Sequence, residues 1–136
     1  MKTIALAILV ALTLVSCSKL IDPFETGNAE LIGNWTDPQY SDTIITYTRV
    51  NDLVENQYGI AFKEGNKLVE RQNSGFCGTP PIVTADYEGT WTGNDSVVNI
   101  SVGFWGGTIN RTWRIITLNN QKLVISEIKS EYHTGK

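Results

Sequence analysis

Reactive chemistry in this chain would have to come from histidine, cysteine or acidic side chains, and their placement argues against catalysis. His133 is the only histidine and sits in a polar C-terminal tail, so a histidine-based triad or zinc site lacks its central residue. Cys77 lies in Phe76-Cys77-Gly78-Thr79-Pro80-Pro81, without a neighbouring histidine or lysine to stabilise a thiolate, and reads as a structural cysteine in a stiff loop. Most acidic residues fall on turns or outward strand positions and form no motif. Glu70 faces in or out according to the turn before it, so a carboxylate pair stays open. The chain reads as a non-enzyme with no metal or cofactor. Asn34, Asn94, Asn99 and Asn110 each open an N-x-Ser/Thr sequence, most simply as polar positions of strands and turns.

Binding chemistry is better represented. Arg111, the aromatic residues Tyr58, Phe62, Tyr87 and Trp113, and Trp105 are its carriers. Two turn signals set where they point, because glycine accepts the positive φ of primed hairpins. Folding about Gly93-Asn94 and Gly106-Gly107 aligns Tyr87–Ile100–Trp113, Gly89–Val98–Ile115 and Ala85–Val102–Arg111 on one face. Glu88–Asn99–Arg114 and Asp86–Ser101–Thr112 fall on the other. One face is apolar and one polar, as a half-buried antiparallel sheet requires. Trp105 is then expected on the outer face at a hairpin tip, either gripping a partner or folded over a neighbouring strand. Tyr58, Ile60, Phe62, Tyr87, Ile100 and Trp113 form the inward set, which either fills a small barrel or walls a ligand cavity.

Further strands follow from pattern. Leu31 to Trp35 alternates until Asp37-Pro38 breaks it, and Thr43 to Val50 is rich in β-branched residues. Tyr58 to Phe62 turns at Glu64-Gly65-Asn66 into Leu68 to Arg71, and a connector over 73–82 leads to the central strands. Leu118 to Gln121 turns into Leu123 to Ile128, with Ile116, Leu118, Leu123 and Ile125 making the outer face apolar and Arg114 placed to pair with Glu127. About eight short strands with tight turns and no amphipathic helix predict an all-β antiparallel up-and-down meander closing into a barrel over 30–136. A formal net charge of −3 argues against a nucleic-acid partner.

The N-terminus carries an address. Met1-Lys2 is followed by an uncharged apolar run from Thr3 to Val15, too short to span a bilayer, which ends in Leu14-Val15-Ser16-Cys17. That ending resembles the lipobox of bacterial lipoproteins. The resemblance implies a signal peptide over 1–16, acylation of Cys17 with chains such as palmitate, and a lipidated tether over 17–29. Ser18, in place of an aspartate, implies the outer membrane. Gly33-x-Trp35 on the first strand of an eight-strand meander resembles the opening motif of lipocalins and their calycin relatives, closest to small bacterial lipocalin-like lipoproteins. In that family the tryptophan closes one barrel end under a basic side chain from a late strand. Here this implies Arg111 over Trp35; the alternatives are an anion-binding Arg111 inside the barrel, or one snorkelling at its rim. The missing helix after the barrel departs from that family. The resemblance implies passive binding of a small hydrophobic or amphipathic ligand by Trp35, Tyr58, Phe62, Tyr87, Ile100, Arg111 and Trp113. The alternative is a filled barrel that recognises an envelope protein or glycan through Trp105 and the loops.

Overall fold

A computed structural model describes residues 29–76, 79–94 and 96–135. Cys17, the signal and the tether up to residue 28, and Cys77 lie outside the described residues. The chain forms β1 (Gly33–Ser41), β2 (Ile44–Val50), β3 (Gly59–Lys63), β4 (Lys67–Asn73), β5 (Thr84–Asn94), β6 (Val97–Phe104), β7 (Gly107–Leu118) and β8 (Lys122–Thr134). The antiparallel strands form a meander that closes into a barrel in the order β1-β2-β8-β7-β6-β5-β4-β3. β1 pairs with both β2 and β3, so the connection over 51–58 carries the chain past β1. Arg71 pins that crossing, donating to the Leu53 carbonyl at 3.0 Å while its other side grips Asp86.

β1 runs through Asp37-Pro38, where the break was expected. The pairing with β2 shifts between Thr36 and Gln39, and Asp37 takes a φ of 53°. An irregularity there absorbs the proline without ending the strand.

The central hairpins keep the expected faces but not the expected rows. Gly93 and Asn94 belong to β5, whose last residue pairs with Val97, and the β6–β7 turn is Trp105-Gly106. Ile100 therefore faces Trp91 and Arg111, in place of Tyr87 and Trp113. Each register moves by an even number of residues, so inward side chains stay inward. The longer β5 ladder brings Trp91 into the core, where its indole N–H donates to the Lys63 carbonyl at 3.1 Å. At Gly107 the φ of 150°, together with the nearby His133 carbonyl oxygen, leaves no room for a Cβ.

Two irregularities in β7–β8 change which residues face in. The pairing shifts between Ile115 and Thr117, leaving Ile116 outside at 53% exposure while Leu123 and Ile125 are fully buried. The expected apolar outer face thus loses both to the core. The same shift sets Glu127 opposite buried Trp113, so Glu127 turns inward and does not pair with Arg114, and a second shift between Thr112 and Trp113 keeps Lys129 outside, opposite Thr112. Beyond it, Arg111 faces Ser130 and Ile109 faces Tyr132.

The barrel end that holds the β3–β4, β5–β6 and β7–β8 turns is filled. Phe62 packs edge-on against Trp91 (centroids 5.4 Å apart) and Trp113 (6.4 Å), and Trp113 continues to Tyr47 at 5.9 Å. Trp35, with no exposed surface, donates its indole N–H to the Leu31 carbonyl at 2.9 Å. The cation over it is Arg49 of β2, 4.5 Å from the ring centroid, not Arg111. Arg49 Nη2 also donates to the carbonyls of Glu30 (2.6 Å) and Ile32 (2.9 Å). Gly33 makes this possible, since a Cβ there would lie 3.0 Å from Arg49 Nη2. Arg49→Met keeps the stem but loses the cation–π contact and two charge-assisted hydrogen bonds, so chemical denaturation should show a loss of about 2–4 kcal/mol. Arg49→Lys should recover only part of it, because an ammonium cannot reproduce the planar fork.

Candidate functional site

The opposite end, which carries the Asp42-Thr43 turn, the β4–β5 connection, the Trp105-Gly106 turn and the end of β8, is hollow. A chamber of about 500 Å³ opens there, lined chiefly by Tyr40, Tyr47, Tyr58, Glu70, Phe104, Trp105, Arg111 and Tyr132. A smaller chamber of about 270 Å³ shares Tyr40, Tyr47, Glu70, Arg111 and Tyr132, and adds Asp42, Trp113 and Glu127. A small barrel can thus be both filled and hollow: large aromatic rings pack one half, and tyrosines of several strands stand around the other.

An ion pair crosses the lumen between the halves. Arg111 Nη1 donates to both oxygens of Glu70 at 2.8 and 2.7 Å, joining β7 to β4. The two side chains retain 13% and 12% exposure. Glu70 therefore faces inward, and Arg111 lies neither over Trp35 nor free at the rim. Burial raises the Glu70 carboxyl above its ordinary value even though Arg111 pulls it down. Burial, followed by the Glu70 charge, pushes the Tyr47 hydroxyl well up and the Tyr40 hydroxyl up.

The rim is held by polar ties. Tyr58 donates its hydroxyl to Asn73 Oδ1 at 2.7 Å, Tyr87 donates to the Asn73 carbonyl at 3.1 Å, and Gln72 donates to the Gly103 carbonyl at 2.9 Å. Trp105 is 49% exposed in its turn, edge-on to Phe76 at 5.5 Å and Phe104 at 5.8 Å, and Phe104 meets Tyr132 at 5.6 Å. Trp105 thus folds over its neighbours and still lines the mouth.

Of the residues expected from the sequence to meet a ligand, Tyr58, Arg111 and Trp113 reach the chambers. Trp35, Phe62 and Ile100 sit in the filled core, and Tyr87 packs against it. Sequence reasoning missed Tyr40, Tyr47, Glu127 and Tyr132. Tyr47 was legible, since it shares the inward face of β2 with Ile45. The others depend on the irregular strand pairings, which leave no sequence signal. Among the described residues no group of three or more His, Cys, Asp or Glu could hold a metal ion. The chain matches no family model, no curated protein and no solved structure.

Charges in a small lumen are costly, and the sign of that cost is testable. Removing one partner strands the other, so Arg111→Met or Glu70→Gln should each destabilise by about 3 kcal/mol. The double variant should regain most of that loss in denaturant titrations. Because the Glu70 carboxyl is raised in the folded state, its contribution is fullest below the unfolded value of 4.5 and is lost as pH rises through the folded value. Wild type should therefore gain on the double variant as pH falls through that window, and the difference should level off below it.

Proposed function

We propose that this chain is a lipid-anchored lipoprotein of the bacterial outer membrane whose barrel binds a small hydrophobic or amphipathic molecule at its open end. The observation that carries this reading is the chamber of about 500 Å³ walled by aromatic rings and floored by the Glu70–Arg111 pair. Its size and its aromatic walls are those of a ligand pocket, with Glu70, Arg71, Gln72, Asn73, Arg111 and Thr134 as its polar groups. Rings supply burial, and the floor supplies orientation. Binding is passive. The anchor rests on Leu14-Val15-Ser16-Cys17 after an apolar run, and several acyl chains on Cys17 hold a soluble domain at a bilayer.

A second reading makes the rim an interaction surface for an envelope protein or glycan. It is favoured by Phe76, 85% exposed and stacked edge-on against Trp105.

Native mass spectrometry of the full chain expressed in a bacterial envelope separates these readings. Ligand binding should give a co-purifying mass that disappears on denaturation and in the Glu70→Gln/Arg111→Met double variant, with Trp105→Ala keeping most of it. A fully apo spectrum together with loss of a partner in Trp105→Ala would favour the rim. In the same preparation the mature mass should begin at an acylated Cys17, and Cys17→Ser should leave the signal uncleaved. A mature chain without acyl mass would remove the anchor.

A further inference from the structure

The charges around the open end do not balance, and the imbalance identifies the ligand's polar group. Arg71 lines the larger chamber, but Asp86 holds it at 2.6 and 2.8 Å. Arg111 is taken by both oxygens of Glu70. The positive charges are therefore spent, and an anionic head group would find no free guanidinium. Negative charge is left over. The smaller chamber is lined by Asp42, Glu70 and Glu127 against Arg111 alone. Among the described residues the Glu127 carboxylate makes no ion pair, and the hydrogen bond it accepts from the Trp113 indole is long, at 3.4 Å.

The walls suit a cation as well. Tyr40, Tyr47, Tyr132 and Trp113 line the same chamber as Glu127, and aromatic faces attract cations through the ring quadrupole. Tyr47 is only 4% exposed, lines both chambers, and its hydroxyl has no hydrogen-bond partner among the described residues. An unpartnered hydroxyl on a buried side chain, open only at a chamber wall, is a waiting contact. The raised Tyr40 and Tyr47 hydroxyls agree with a negative interior: after burial, Glu70 raises both more than Arg111 lowers them, and Glu127 adds to it. The carboxylates form no metal-holding group, so the fitting cation is organic.

Building on the ligand-binding reading above, we propose that the barrel selects an ammonium-bearing molecule, its cation between Glu127 and the rings of Tyr40, Tyr47 and Tyr132, its apolar part in the larger chamber. Three probes built on one benzyl group test this on the full acylated protein in nonionic detergent. Calorimetry should find benzyltrimethylammonium bound about tenfold more tightly than its neutral isostere neopentylbenzene or than phenylacetate. Glu127→Gln keeps the shape and the acceptor for Trp113, so the fold should be retained, as circular dichroism will show. It should erase most of the cation preference and leave neopentylbenzene unchanged. Equal affinity for all three probes, or a preference for phenylacetate, overturns the ammonium assignment while leaving a binding barrel. A cation preference that survives Glu127→Gln overturns the role given to Glu127. Failure of all three probes to bind overturns the ligand cavity itself.

Discussion

One buried ion pair divides this barrel in two. Glu70 and Arg111 reach across the lumen from β4 and β7, strands separated in the barrel wall by β5 and β6. Below them rings and aliphatic side chains pack into one core; above them tyrosines line the chambers. A pair at that depth does little for stability, since desolvating two charges cancels most of their attraction. The raised Glu70 carboxyl points the same way, because the fold would hold this side chain more cheaply protonated. A leucine and a methionine would fill the same place more simply. What the pair supplies is a polar floor at a fixed height.

The filled end shows what stabilises the rest. Trp35, Arg49 and Gly33 act as one unit: the ring is buried, the guanidinium covers it, and the glycine leaves room for the guanidinium. Arg49 then ties the segment before β1 through two carbonyls. The plug needs no residue from the open end. The two arginines on inward faces thus divide their work, with Arg49 closing one end and Arg111 flooring the other.

Strand number and sidedness were legible in the sequence, and register was not. Period-two alternation survives any even slip, so misjudging both central turns still placed Ile100, Val98, Val102 and Trp113 inside. The same tolerance hid Trp91. The two pairing shifts between β7 and β8 did more damage, because each moves residues by an odd step and reverses the faces beyond it. Leu123 and Ile125 looked external and are core; Glu127 looked like a surface partner for Arg114 and lines a chamber. Arg49 was missed although it shares a strand face with buried Tyr47, because the resemblance directed attention to a late strand. Glu70 was identified as the side chain whose direction hung on a turn, and its partner lay on a strand that local pattern cannot bring near.

The two irregularities between β7 and β8, one of which conceals Glu127 from sequence, together make the open end acidic. Regular pairing through Thr112 and Trp113 would place Lys129, not Ser130, beside Arg111, and Tyr132 would point outward. The observed shift keeps Lys129 opposite Thr112 on the outer face and turns Tyr132 to the chamber, where the shift between Ile115 and Thr117 has already set Glu127 inward. One extra residue in β8 thus exchanges an inward lysine for an inward tyrosine and leaves a carboxylate beside Trp113 with no cation to meet it. Such shifts cost a ladder hydrogen bond and are found where a strand must re-aim side chains. Here the re-aimed residues converge on one chamber, and the lysine that would have neutralised it reaches Glu131 at 2.9 Å in solvent.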